Sequence, residues 1–284
     1  MLPWLAEGEG VARTRVALGV ADWRAALADA AWAARNANAQ VLLTGLNLAA
    51  WAQLSAHVPP PAAVAGYSVG ELASFSAAGV FDAQTALMLA GVRARAMDRC
   101  AVAHPGGLLA VSGLDAAQIE RLCRAAGVAL AIDNDSHAAV LGGPHAALDA
   151  AERAALAAGG SCTRLPVEVA SHTPWMSAAA AEFAQTLSTL PLQAPTVPLF
   201  SHVADRITRA APAADALALQ IAQTVRWRAC MDQIHARRVA CVLEVGPGAA
   251  LARMWNQRFP DVPARSADEF RSAPAIVDWV LRNS

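Results

Sequence analysis

The sequence predicts an α/β fold in two parts, a parallel-sheet core and a smaller domain inserted into it. Three observations lead there. An apolar run at 62–65 enters Gly66-Tyr67-Ser68-Val69-Gly70 and then a helix-like continuation, the strand, sharp turn and helix of a nucleophile elbow. Residues 103–170 break into short units that read as β-α-β-β-α-β, the ferredoxin-like order. The flanking segments are longer helices and apolar strands, so residues 1–102 and 171–284 are expected to form an α/β-hydrolase-like large domain around the small one.

Taken in order, residues 1–35 are rich in alanine and tryptophan with scattered charges, which suits short helices, and no strand pattern precedes the elbow. Apolar residues recur at helical spacing over 41–57, and Pro59-Pro60-Pro61 ends that helix. At the elbow, glycines 66 and 70 are expected to remove Cβ atoms that would collide where strand and helix cross. Asp82 caps a helix over about 83–101 that carries Arg93, Arg95 and Arg99. His104-Pro105-Gly106-Gly107 opens the small domain, with strands at 108–112, 128–132, 138–141 and 163–169. Helices at 115–126 and 144–158 separate them, and Asn134-Asp135-Ser136 reads as a turn. A helix over 174–190 has proline in its first turn. A strand at 197–202, helices at 214–224 and 226–237, and an apolar strand at 239–245 of the buried parallel type follow. Gly246-Pro247-Gly248 then turns the chain into a helix ending near Phe259.

Composition narrows the function. The 284 residues carry a net charge of -1, which gives no reason to expect nucleic acid as a partner. Hydrophobic residues reach 56% and mean hydropathy is +0.33, yet alanine supplies much of this. The most apolar stretch, 41–58, is broken by Thr44, Asn47, Gln53 and His57, so a buried helix is expected rather than a membrane span. Five cysteines, odd in number and without a C-x-x-C pair, argue against a disulfide framework or a zinc site and for a reducing compartment. Met1-Leu2-Pro3-Trp4 lacks a basic or signal-like start, and a cytoplasmic location is expected.

Ser68, held in the elbow turn, is the candidate nucleophile, and the Val69 N–H at the helix start is a natural oxyanion donor. An activated serine needs a base, and His172 is the best placed of seven histidines, at the corner where the small domain returns to the large one. His202, at a strand end, is a weaker second candidate; His57, His104, His137, His145 and His235 read as ordinary surface residues. Arg93 lies in an apolar helix, where its planar fork suits the free carboxylate of a dicarboxylic acyl group. Spacing alone fits an ordinary helix-surface arginine as well. Arg95 faces elsewhere on the helix.

These residues together resemble the acyltransferase family of bacterial malonyl-CoA:acyl carrier protein transacylases, over about residues 20–260. Its pattern G-[HYL]-S-[LV]-G-E, then A-G-V-x-D, then arginine, is matched by Gly66 to Glu71, Ala78-Gly79-Val80-Phe81-Asp82 and Arg93. Its S-H-[TCS] motif is matched at Ser171-His172-Thr173, its N-[SD] turn at Asn134-Asp135, and its Q-x-x-x-x-V-R-W segment from Gln220 to Trp227. Gln40 matches its active-site glutamine before a long helix, and Glu244 to Gly248 its later turn. The resemblance implies that Ser68 takes malonyl from malonyl-CoA with His172 as base, and that Arg93, with Gln40 and Asn134, binds the substrate. The Gln220 backbone carbonyl would orient His172, and the thiol of an acyl carrier protein would receive the acyl group. It implies neither a metal nor a cofactor.

Two features depart from the family pattern. The family opens with a strand and an F-P-G-Q-G-[SA]-Q loop that supplies a second oxyanion donor, whereas Met1-Leu2-Pro3-Trp4 looks like the residues that follow that loop, so either the start is set too far downstream or the copy is a shortened one. For a shortened copy a sheet one strand short is expected, with Val69 as the remaining donor, a loss typically of about 100- to 1000-fold in rate. Tyr67 replaces the common histidine before the serine; with Ile132 to Asp135 and Leu141-Gly142-Gly143 it looks closer to the malonate decarboxylase branch, whose transferase loads that complex's own carrier subunit. Such a protein would act as a monomer or as a subunit of the decarboxylase complex. Two other readings fit the elbow: a serine hydrolase or thioesterase of the α/β-hydrolase type, with Asp133 or Asp135 as the acid between serine and histidine, and an inactive shortened acyltransferase serving as a binding subunit.

Overall fold

A computed structural model describes residues 1–284. Its strands are β1 Val64–Ala65, β2 Gly106–Ser112, β3 Ala129–Asp135, β4 Ala138–Pro144, β5 Ser161–Arg164, β6 Leu199–Ser201, β7 Asp205–Ile207, β8 Val242–Glu244 and β9 Ala264–Ser266. They form three sheets. In the first, β1 runs parallel to β6 and β7 folds back on β6. The second is antiparallel in the order β3-β4-β2-β5, and in the third β8 runs parallel to β9.

The helices do most of the packing. Ala83–Ala103 buries Ala86, Leu89, Ala96 and Met97 against Leu72 and Phe75 of Gly70–Ala77 and Phe183 and Leu187 of Ser177–Ser188. Asp82 caps its start by accepting the Thr85 N–H, as its side chain should. The antiparallel sheet has its own core, in which Leu109, Val111 and Leu141 meet Ile119 of Ala116–Ala126 and Leu148 of His145–Ala157. Asp115 and Gln118 close the first of these helices with a reciprocal capping box.

A third cluster joins these two bodies: Leu108, Ile132 and Val140 pack with Phe200, Trp227, Met231 and Trp255. Backbone reinforces it. Asp133 N–H donates to the Val225 carbonyl and Val225 N–H to the Ala131 carbonyl, both at 2.9 Å, so the edge of β3 pairs with the segment ahead of helix Trp227–His235. Asp133 and Asp135 then pair with Arg228 at 2.9 Å and Arg258 at 3.0 Å.

Several expectations need correction. The helix expected from 41 begins at Asn36, so Gln40 lies inside it rather than before it. The Asn36 amide reaches the Ala94 carbonyl and Asp98 on the neighbouring helix, a tertiary tie that outweighs its poor helix propensity. Asn134 and Asp135 belong to β3, which leaves Ser136 and His137 to make the turn. The strand expected over 163–169 stops at Arg164, two residues before Pro166, which lacks the N–H to continue a ladder. The strand at 239–245 shrinks to β8, which is half-buried because β9 is its single neighbour. Strands β7 and β9 and the closing helix Ala273–Asn283 were not foreseen. No helix is long and apolar enough to cross a membrane, and all five cysteines are free thiols.

Candidate active site

The elbow is built by one glycine. A Cβ at Gly66 would collide with the backbone of Gly70 and Glu71, so the strand and the following helix approach this closely only around glycine. Gly70, expected to serve the same purpose, faces open space. Ser68 takes φ 53°, a left-handed conformation that an L side chain adopts at a cost of about 1–3 kcal/mol. The next turns fix it: Gly70 N–H donates to the Tyr67 carbonyl at 2.9 Å and Glu71 N–H to the Ser68 carbonyl at 3.0 Å. The Val69 N–H finds no acceptor within the chain.

His172 meets this serine from the far side of the sequence. Its φ is 63°, and its N–H donates to the Ile221 carbonyl at 2.8 Å. Nδ1 lies 2.6 Å from the Gln220 carbonyl. A carbonyl only accepts, so Nδ1 carries the proton and Nε2 is left with a lone pair facing Ser68 Oγ at 2.7 Å. The ring is 1% exposed. Burial first, and then the nearby Arg93 and His202, hold it well below the usual imidazole range, against the pull of the Gln220 carbonyl. The imidazole is therefore neutral and able to accept a proton at neutral pH.

Arg93 is 1% exposed in the middle of its helix, yet forms no ion pair. Nη1 donates to Gln40 Oε1 at 2.6 Å and Nη2 to Gln220 Oε1 at 3.2 Å, while Nε has no partner. Two neutral amide oxygens thus hold a buried cation in place without neutralising it. Burial lowers its pKa to about 10, opposed by the Glu71 charge. Gln40 is itself aimed: its amide nitrogen donates to Asn36 Oδ1 at 2.7 Å, which turns its oxygen toward the guanidinium. Gln220 bridges the two halves of the site, its carbonyl on His172 and its side chain on Arg93.

Asn134 is brought to the elbow by the β3 seam, where its Oδ1 accepts the Tyr67 hydroxyl at 3.0 Å. The Tyr67 ring stands edge-on to Trp227, and burial pushes its hydroxyl up to about 12. Asp133 and Asp135 are engaged by arginines, and the atom opposite His172 Nδ1 is a carbonyl, not a carboxylate. His202 is buried with its ring edge-on to His172 at 6.1 Å. Sequence reasoning missed its neighbour Glu71, which is fully buried; it is the one charged residue of the elbow helix, but nothing local names its partner.

Residues 28–276 match the acyl transferase domain family. The chain belongs to that family. Ser68, Arg93, His172 and Gln220 all fall within the matched span of this acyl transferase domain. The chain is 33% identical over 224 residues to the malonyl CoA-acyl carrier protein transacylase of Escherichia coli K12, covering 77% of this chain and 72% of that protein. The Salmonella typhimurium protein of the same name is 33% identical over 215 residues, 74% and 70% of the two chains. Among solved structures, the acyl-carrier-protein S-malonyltransferase of Burkholderia pseudomallei superposes with a TM-score of 0.87 at 27% identity, over 95% of this chain and 90% of that one. A malonyl-transacylase solved in complex with a type II polyketide synthase acyl carrier protein gives a TM-score of 0.87 at 25% identity, over 97% and 90%.

Proposed function

We propose that the protein is an S-malonyltransferase that carries malonyl from malonyl-CoA, through an acyl-serine, to the thiol of an acyl carrier protein. The observation that carries this reading is Arg93, an enclosed cation with no carboxylate partner, joined through Gln220 to the imidazole that meets Ser68. An anionic acyl group supplies the missing charge. A site that released neutral acyl groups would gain nothing from keeping Arg93 unpaired.

In the first half-reaction Ser68 Oγ attacks the thioester carbonyl carbon as His172 Nε2 takes its proton, and the carbonyl oxygen gains charge beside the Val69 N–H. The C–S bond then breaks, and His172 returns the proton to the departing CoA sulfur. In the second, the carrier thiol gives its proton to His172 and attacks the acyl-serine, and the proton passes back to Ser68 Oγ. Gln220 holds the imidazole tautomer throughout, while Arg93 and Gln40 grip the carboxylate.

The architecture behind this is an α/β-hydrolase-like large domain, 1–102 and 171–284, with a ferredoxin-like domain at 103–170 that delivers Asn134 to the elbow. The protein works in the cytoplasm, where malonyl-CoA and carrier proteins occur. The test is incubation with malonyl-CoA followed by mass spectrometry of the intact protein. One malonyl group on Ser68, removed on adding a phosphopantetheinylated carrier, is the expected result. A folded protein that never acquires the adduct is a binding subunit instead.

A further inference from the structure

Beside the Ser68–His172 pair lies a second carboxylate and imidazole that these transfer steps leave unused. Glu71, on the elbow helix Gly70–Ala77, and His202, just after β6, both have side chains 0% exposed. Glu71 Oε1 stands 3.0 Å from His202 Nδ1, off the axis of a well-formed hydrogen bond, and accepts the His202 backbone N–H at 3.4 Å. Glu71 Oε2 and His202 Nε2 have no partner. The His202 ring sits edge-on to His172, 6.1 Å between centroids.

An enclosed carboxylate is tolerated only if its charge is balanced, and the imidazole is the group in position to share a proton with it. The other charged and titratable neighbours leave that part to His202. Arg93, on helix Ala83–Ala103, feels the Glu71 charge but bonds to Gln40 and Gln220. Arg226 gives its Nε to the His202 carbonyl, not the ring, and pairs with Asp205 on β7 at 3.5 Å. Cys230, on helix Trp227–His235, has its thiol pushed up to about 12 by burial, Glu71 and Asp205, so it stays neutral.

We infer that Glu71 and His202 share one proton and act as a positioning pair whose charge balance sets the pH range in which His172 accepts the Ser68 proton. The inference rests on Ser68 and His172 being nucleophile and base. With the pair intact its net charge is near zero. Removing the proton-sharing imidazole leaves a carboxylate that stabilises protonated His172; removing the carboxylate leaves the shared proton on an imidazole edge-on to His172, which destabilises protonated His172. The two single substitutions therefore move the acid limb in opposite directions.

The experiment measures the rate of Ser68 acylation by malonyl-CoA against pH, by mass spectrometry, for the full chain and the variants His202→Asn, Glu71→Gln and the double substitution. The acid limb is expected to rise by about one pH unit in His202→Asn and to fall by a similar amount in Glu71→Gln, with the double variant returning toward the parent. A pair that only packs would lower rates without moving the limb. Shifts in the same direction, coincident limbs, or no limb above about pH 4 in His202→Asn overturn the inference. If Glu71→Gln fails to fold, His202→Asn decides alone, since asparagine keeps a donor toward Glu71 without the charge. A parent protein that forms no acyl-serine fails on the nucleophile assignment, a result distinct from unmoved limbs in an active one.

Discussion

Ser68 and His172 both hold left-handed backbone angles, φ 53° and 63°, and their side chains meet at 2.7 Å across 104 positions of the chain. Two strained residues in direct contact mark where the surrounding structure spends stability to fix a geometry. Ser68→Ala is expected to abolish covalent malonyl, and His172→Ala to slow acylation by about 100- to 10,000-fold. Intact-protein mass spectrometry over time checks both. Malonyl accumulating on the Ser68→Ala protein would put the nucleophile elsewhere.

Arg93 should decide which acyl group is accepted. Removing one partner of an enclosed charged contact typically costs about 2–5 kcal/mol, so Arg93→Ala is expected to lower kcat/KM for malonyl-CoA by at least about 30-fold. Acetyl-CoA, lacking the carboxylate, should lose little or even gain. Steady-state rates with the two thioesters test this, and an equal loss on both would assign Arg93 to the fold rather than to the substrate.

His172 links the site to acid stability. Its folded-state pKa lies well below the usual value because it is buried, so the unfolded chain binds a proton that the folded one refuses. The stability it contributes is complete above about pH 6.5 and is lost as pH falls from there toward the folded value. Thermal midpoints measured across this window should fall with pH, with a shallower slope in His172→Asn. An unchanged slope would mean that other groups govern acid unfolding.

The two elbow glycines should separate cleanly. Gly66→Ala forces a Cβ into the Gly70 and Glu71 backbone and is expected to destabilise by about 3 kcal/mol or more, with loss of acylation. Gly70→Ala meets open space on the first turn of a helix and should be neutral or stabilising by up to about 1 kcal/mol. Urea unfolding of the pair is a sufficient check.

Part of this site was readable from spacing. Gly66, Ser68 and His172 could be named because an elbow and a domain corner each demand a particular residue type, whereas spacing left Arg93 open and the resemblance to the acyltransferase family singled it out. Asn36 and Glu71 could not be named. The use of each depends on a partner brought in by tertiary packing, Asp98 for one and His202 for the other, and local pattern carries no trace of such pairings. The fold divides the same way. Long amphipathic helices such as Ala83–Ala103 announce themselves, whereas three-residue strands such as β7 and β9 exist only because a neighbour supplies their hydrogen bonds.

One connector, residues 220–228, props the imidazole from behind, touches the guanidinium, and then zips onto the edge of β3. Pulling β3 away would tug on the same segment that holds the His172 ring and touches Arg93, so the alignment of base and serine depends on how the antiparallel sheet is seated.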